Sequence, residues 1–170
     1  MPKYPSSKIF IVAVAIIFSS GFAYAQKKQA FKVGEMLKYQ LHYGFIRGGE
    51  GILTIREAEY EGKKVNNLYL NAQTVGLAST LYLVDDTYQS FTDTETNWPY
   101  KSIRSIHENR YRHYSTQIFD HYSRKDSSIC TSSKTGKIVV VKGCQDILSS
   151  VYYLRSLMVD RKPTKRKVYC

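Results

Sequence analysis

The stretch Leu37–Ile55 reads LKYQLHYGFIRGGEGILTI, and how it is interpreted decides what kind of protein this is. It holds Gly44, Gly48, Gly49 and Gly51, four of the chain's ten glycines. Gly44 and Gly49 have the separation of a phosphate loop, G-x-x-x-x-G. Such a loop continues with Lys and then Ser or Thr, because an ammonium and a Mg²⁺ must balance the phosphate charge. Glu50 and Gly51 stand in those places instead, and a carboxylate repels the ligand. No helical pattern follows whose N-terminus could hold an anion. The flanks give the geometry. Leu37, Tyr39, Leu41 and Tyr43 alternate with Lys38, Gln40 and His42, the period of a half-buried strand with a polar outer face. Beyond the glycines, Gly51, Leu53 and Ile55 alternate with Ile52, Thr54 and Arg56. The stretch is predicted to be a β-hairpin with glycine at its bend or bulge.

The same period of two runs through VNNLYLNAQTV, DDTYQSFTDT, KSIRSIHEN, YRHYSTQIFDHY and the hairpin SSICTSS–KTG–KIVVVK. Fifteen tyrosines, mostly on these segments, fit the strand preference of aromatics. GLASTLYLV is compatible with one helical turn. TETNWPY is a loop, since Pro99 cannot donate to a ladder and biases Trp98 toward extended backbone. In YRHYSTQIFDHY one face carries Tyr114, Thr116, Ile118 and Tyr122, and the other His113, Gln117, Phe119 and His121. Neither is purely apolar, so one face could line a semi-polar cavity, or tyrosine hydroxyls could simply reach water. DILSSVYYLRSLM alone has helical spacing, with Ile147, Val151 and Leu154 as its apolar stripe and Asp146 as N-cap. The fold class is mainly β: about eight antiparallel strands in a curved up-and-down sheet or partly closed β-barrel, with one C-terminal helix.

The first 25 residues read as a signal peptide. Lys3 and Lys8 give a positive start, IFIVAVAIIF an apolar run, and Ala23 and Ala25 a cleavage site. The run is too short for a bilayer span, which needs roughly 20 residues. Export to the periplasm is expected, with residues 26–159 forming a single β-rich domain and 160–170 a basic tail. Losing Lys3 and Lys8 takes the formal charge from +11 to +9, most of it in RSLMVDRKPTKRKVYC. With charge concentrated there, nucleic-acid binding is not expected. Attraction to anionic lipid or polysaccharide fits better, and solvated charge without function better still.

An exported chain can form disulfides. If Thr135 and Gly136 form the hairpin loop, Cys130 lies opposite Val141 and misses Cys144 by three residues, so pairing stays open and Cys170 is left over. No G-x-S-x-G elbow and no C-x-x-C spacing occur. His113 and His121 share a strand face but lie roughly 26 Å apart at strand rise. Asp85, Asp86, Asp93 and Glu95 are the densest acidic cluster, yet Asp85 and Asp86 point to opposite faces of a strand and cannot converge on calcium. No metal, cofactor or catalytic residue is expected. The unusual set is Asp93, Arg104, Glu108, Tyr111 and Arg155. Arg155 flanks the apolar stripe, and a buried arginine needs a carboxylate, for which Asp93 or Glu108 is the expected partner. A structural ion pair and a ligand headgroup site both fit this set.

Three phrases, FKVGEMLKYQLHYGFIRGGEGILTI, DDTYQSFTDTETNWPYKSIRSIHENRYRHYSTQIFDHYS and QDILSSVYYLRSL, together resemble the domain of unknown function 3108 family. The pattern is carried by Gly34, Glu35, Leu37, Tyr39, Ser90, Asp93, Pro99, Glu108, Tyr111, Phe119, Asp120, Asp146, Ser149, Tyr152 and Arg155. The resemblance, over about Phe31 to Val159, implies an exported β-rich bacterial protein and brings no established activity. It also implies further strands past the helix, where this chain breaks into DRKPTKRKVYC, so a truncated or aberrant end is one reading of the tail. The expected function is non-enzymatic binding of an amphipathic or glycan-like ligand in the cell envelope, partnered by lipid, glycan or an envelope protein. Alternatives are an envelope hydrolase using Glu108 or Asp93 with a histidine, and an interaction protein acting through a sheet edge.

Overall fold

The computed structural model describes residues 30–160; the predicted signal peptide, 1–25, and the tail beyond Asp160 with Cys170, lie outside the described residues. Eight strands follow one another: β1 Met36–Tyr43, β2 Ile46–Tyr60, β3 Lys63–Thr74, β4 Asp85–Asp93, β5 Pro99–Glu108, β6 Tyr111–Asp120, β7 Ser127–Ser132 and β8 Gly136–Val141. They form one sheet in chain order, each antiparallel to the next. A short helix, α1 (Leu77–Leu81), interrupts the β3–β4 connection, and α2 (Ile147–Asp160) follows β8. The predicted up-and-down meander is present. A barrel is not: among the described residues β1 and β8 each pair on one side only, so the sheet is open.

The glycine-rich stretch is the β1–β2 hairpin. Tyr43 faces Ile46, leaving Gly44 and Phe45 as a two-residue loop, and Gly44 takes the positive φ of 59° that such a tight turn requires. Leu41 pairs Gly49 while His42 pairs Arg47, so Gly48 is the extra residue of a bulge.

The core lies between α2 and one face of β2–β4. Ile55, Leu68, Leu148, Tyr152 and Phe31 are buried together, and Phe31 meets Tyr152 edge-on at 4.9 Å. The helix shows a different side from the predicted one. Leu148, Ser149 and Tyr152 are buried, with Arg155 half-buried, while Ile147, Val151 and Leu154 face outward. Two stripes of i, i+4, i+7 spacing lie one residue apart on this helix, 147/151/154 and 148/152/155, and periodicity alone cannot choose between them. Polar anchors at Asp146 and Arg155 make the choice. β1 also differs from expectation. Leu37 aligns with Leu53 on the helix side, but α2 does not reach farther along the strand, and Tyr39, Leu41 and Tyr43 stay exposed.

On β6 the His113, Gln117 and Phe119 side faces toward the helix layer, while Tyr114, Ile118 and Tyr122 are exposed. The last hairpin turns through Ser133–Thr135, because Ser132 pairs Gly136, and this places Cys130 opposite Ile138 rather than Val141. Cys130 and Cys144 are free thiols. Burial raises the pKa of both, and for Cys144 the neighbouring Cys130 and Asp146 add to it. Gly143, between β8 and α2, has φ of 69°, and an added Cβ would lie 2.8 Å from the Trp98 indole. Gly143→Ala is therefore expected to cost about 2 kcal/mol, from backbone strain and displaced indole together, read as a lower urea midpoint.

Candidate functional site

The five polar residues singled out from sequence do not form one cluster. Asp93 closes the β4–β5 turn: its Oδ1 accepts the N–H groups of Glu95 and Thr96 at 2.9 and 2.8 Å and the Thr96 hydroxyl at 3.0 Å. Its Oδ2 accepts the Tyr100 hydroxyl at 2.9 Å. Burial pushes the Asp93 carboxyl up, but these hydrogen bonds outweigh it and hold the group below its usual range. Glu108 accepts the Tyr82 hydroxyl at 2.9 Å. Tyr111 is exposed and stacks on His113 with ring centroids 6.2 Å apart.

Arg155 meets neither Asp93 nor Glu108. Its Nη1 and Nη2 donate to the two oxygens of Glu35 at 2.5 and 3.1 Å, and Nη2 also donates to the Ala30 carbonyl at 3.1 Å. The helix starts over β4 and runs back across β3, so its later turns arrive at the segment before β1 instead of the ends of β4 or β5. Glu35, 120 residues away in the chain, is what stands there. The guanidinium also lies 5.3 Å from the centre of the Tyr152 ring. This arginine is engaged by the fold.

Most of the other motif residues have structural work too. Asp146 Oδ1 accepts the N–H groups of Leu148 and Ser149 at 2.8 and 3.0 Å, the predicted N-cap. Its Oδ2 accepts the hydroxyl of fully buried Ser90 at 2.5 Å, which ties the helix start to β4. Asp120 caps the β6–β7 turn, and hydrogen bonds from the Ser123 side chain and the backbone of Ser123 and Tyr122 hold its carboxyl at about 2. His121 is buried with both ring nitrogens occupied, Nδ1 with the Ser128 hydroxyl at 2.7 Å and Nε2 with the Pro99 carbonyl at 2.9 Å. Burial holds its pKa below the usual value. Among the described residues no histidine ring is hydrogen-bonded or ion-paired to a carboxylate, and no group of three potential metal ligands converges.

Arg104 is placed differently. Two cross-strand rows, Tyr88–Arg104–Ser115 and Ser90–Ser102–Gln117, run over β4, β5 and β6 on the helix side of the sheet. The helix covers only their β4 end. Serines, too small to fill the remaining space, leave a groove of about 280 Å³ between the β4–β6 floor and the Gln145–Leu148 wall. Ser102 donates to Gln117 Oε1 at 3.2 Å along the floor. On the wall, Gln145 donates to the Gly143 carbonyl, while its Oε1 is buried without a hydrogen-bond partner. Arg104 is exposed and makes no ion pair among the described residues. The Tyr88 hydroxyl beside it is raised in pKa by burial first and by the Asp86 charge second, so it stays a neutral donor.

Of the sequence candidates, then, the groove takes Arg104 and excludes the other four. It adds Ser102, Ser115 and Gln145, which sequence reasoning missed, and Gln117, on a β6 face read from sequence as a candidate cavity wall. A signal was present in the alternation of Ser102 and Arg104 along KSIRSIH, polar positions on what proves to be the covered side. The chain was also compared with known proteins. No curated protein and no solved structure matches it. The profile of the family described as Protein of unknown function (DUF3108) matches residues 38–168. Glu35 and Arg155, Ser90 and Asp146, paired across the fold, are residues on which the resemblance rested. The chain belongs to the DUF3108 family.

Proposed function

We propose that this protein is a non-catalytic binding protein of the bacterial envelope that seats the anionic head of an amphipathic molecule in the groove beside α2. The observation that carries this reading is Arg104, an exposed guanidinium on the floor of a 280 Å³ groove with no carboxylate partner among the described residues. Arg104 supplies paired N–H donors for a carboxylate or phosphate. Tyr88, Ser102 and Ser115 supply hydroxyls, and Ile147, exposed at the rim, offers an apolar surface to a chain. Export is supported by the charged, apolar and small-residue segments of positions 1–25, after which the domain works in the periplasm. A hydrolase reading has no imidazole–carboxylate hydrogen bond among the described residues to start from, and Glu108 and Asp93 are both engaged by tyrosine hydroxyls.

The test is native mass spectrometry of protein purified from the envelope, with titration of a long-chain alkyl phosphate as probe. Arg104→Ala is expected to weaken binding of the probe tenfold or more, the worth of a charged hydrogen bond. Stability should stay within about 0.5 kcal/mol, because the side chain is exposed. Equal binding by wild type and variant would remove the groove from consideration. The outer edge of β8, unpaired among the described residues with Ile138, Val139 and Val141 exposed, favours a second reading in which a partner strand adds to the sheet.

A further inference from the structure

In an up-and-down sheet alternate connections emerge at the same end; the β7–β8 turn stops short, beside Thr116 in the middle of β6, and the β1–β2, β3–β4 and β5–β6 connections lie side by side. Hydrogen bonds join them into one surface. The Val75 N–H donates to the Gly48 carbonyl, and Leu83 and Asn109 exchange two bonds between the β3–β4 connection and the β5–β6 turn. This end is apolar on one half. Phe45 at the hairpin tip is 97 % exposed, Tyr43 89 %, and Leu77 and Leu81 of α1 are 73 % and 85 % exposed. The other half is basic: Arg110 and Arg112 at the β5–β6 turn are both exposed. The carboxylates nearest this end are held by hydrogen bonds or ion pairs: Glu108 by Tyr82, Asp85 by Asn71, Asp86 by the His107 N–H, and Glu50 by Arg47, Lys38 and Gln73. Val75–Val84 contains no acidic residue.

A contiguous apolar cluster on a monomer marks a docking surface. Aromatic and leucine prongs set beside cations are the chemistry of an interface whose charge is anionic and whose interior is hydrocarbon. We infer that this end of the sheet docks on an anionic lipid surface, with Phe45, Leu77 and Leu81 entering the headgroup–acyl boundary and Arg110 and Arg112 meeting lipid phosphates. Phe45 is suited to enter first. It stands in a two-residue loop behind Gly44, and the flanking ladder holds the loop without any contact from its ring. The surface is separate from the Arg104 groove and does not depend on it.

The full chain is mixed with vesicles of phosphatidylglycerol and phosphatidylethanolamine, or of phosphatidylcholine alone, and the bound fraction is measured by sedimentation. Stronger binding to the anionic vesicles is expected. Phe45→Ser and Leu81→Ser are each expected to lower the partition coefficient about tenfold, and Arg110→Gln with Arg112→Gln about tenfold on anionic vesicles only. All these side chains are exposed, so unchanged circular dichroism is expected. Tyr122→Ser, at the opposite end, is the matched control and should bind as wild type. Phe45→Trp should show a blue-shifted emission on the anionic vesicles. Equal partitioning of wild type and Phe45→Ser overturns the proposal. So does a lipid-free oligomer that Phe45→Ser dissolves, which would assign the surface to a second copy of the chain.

Discussion

Tyr152→Ala is expected to lower the unfolding free energy by about 4 kcal/mol, whereas Tyr152→Phe leaves it unchanged or raises it by up to about 1 kcal/mol. Tyr152 is 1 % exposed at the centre of the only stripe of α2 that meets the sheet, and its ring fills the space between Phe31, Leu68 and Leu148. Alanine leaves a cavity that β2 and β3, tied by their ladder, cannot collapse to fill. The hydroxyl contributes nothing comparable. It is buried with no hydrogen-bond partner, so removing it also removes a desolvation cost.

The same hydroxyl gives a pH signature. Burial, with a smaller push from the Glu35 charge, raises its pKa to about 12. The folded state thus holds a proton that the unfolded chain gives up near pH 10. This contribution is fully present below pH 10 and is lost as pH rises toward 12. Two units correspond to about 2.7 kcal/mol. Wild type is therefore expected to fall relative to Tyr152→Phe by about 2–3 kcal/mol across that window. Comparing the two proteins cancels the other tyrosines. Urea unfolding at pH 8, 10 and 11.5 measures all three effects, and parallel curves for wild type and Tyr152→Phe would show that the hydroxyl is solvated.

Asp146→Ala is expected to cost about 3 kcal/mol, from a lost helix cap and a buried hydroxyl left without its acceptor. One carboxylate does both jobs: Oδ1 holds the Leu148 and Ser149 N–H groups and Oδ2 the Ser90 hydroxyl. Asp146→Asn keeps the cap and should cost about 1 kcal/mol, within the range of a single weakened hydrogen bond. The decisive measurement is a double-mutant cycle with Ser90→Ala. The two substitutions should be less than additive by about 1–2 kcal/mol, since each alone strands the other partner. Strict additivity would mean that the helix start is not fastened to β4 through this pair.

The strands were legible because a two-residue period survives wherever one face is covered. β2 through β7 carry enough alternation for their order and direction to follow from short connections. The cap at Asp146 was legible because capping is local chemistry. The rotation of α2 was not, since two stripes of the same spacing compete on it and the residues that decide between them, Ser90 and Glu35, lie 56 and 120 positions away from their helix partners. Arg155 was correctly read as needing a carboxylate, but the choice of Glu35 depends on where the helix ends over the sheet. β1 looked half-buried because its pattern matches a covered strand; whether anything covers it is a property of the whole assembly.

By itself the sequence determined a mainly β chain, an antiparallel meander closed off by one helix, a bend in place of a phosphate loop, and the family. Periodicity, turn chemistry and the charge at Glu50 are local, and they suffice for these conclusions. Tertiary structure alone decided that the sheet stays open, that Arg104 is left facing a groove while Arg155 is consumed by Glu35, and that Phe45 and α1 share one exposed end. Each depends on which distant side chains arrive at the same place, and the spacing of residues along a strand or helix does not encode that arrival.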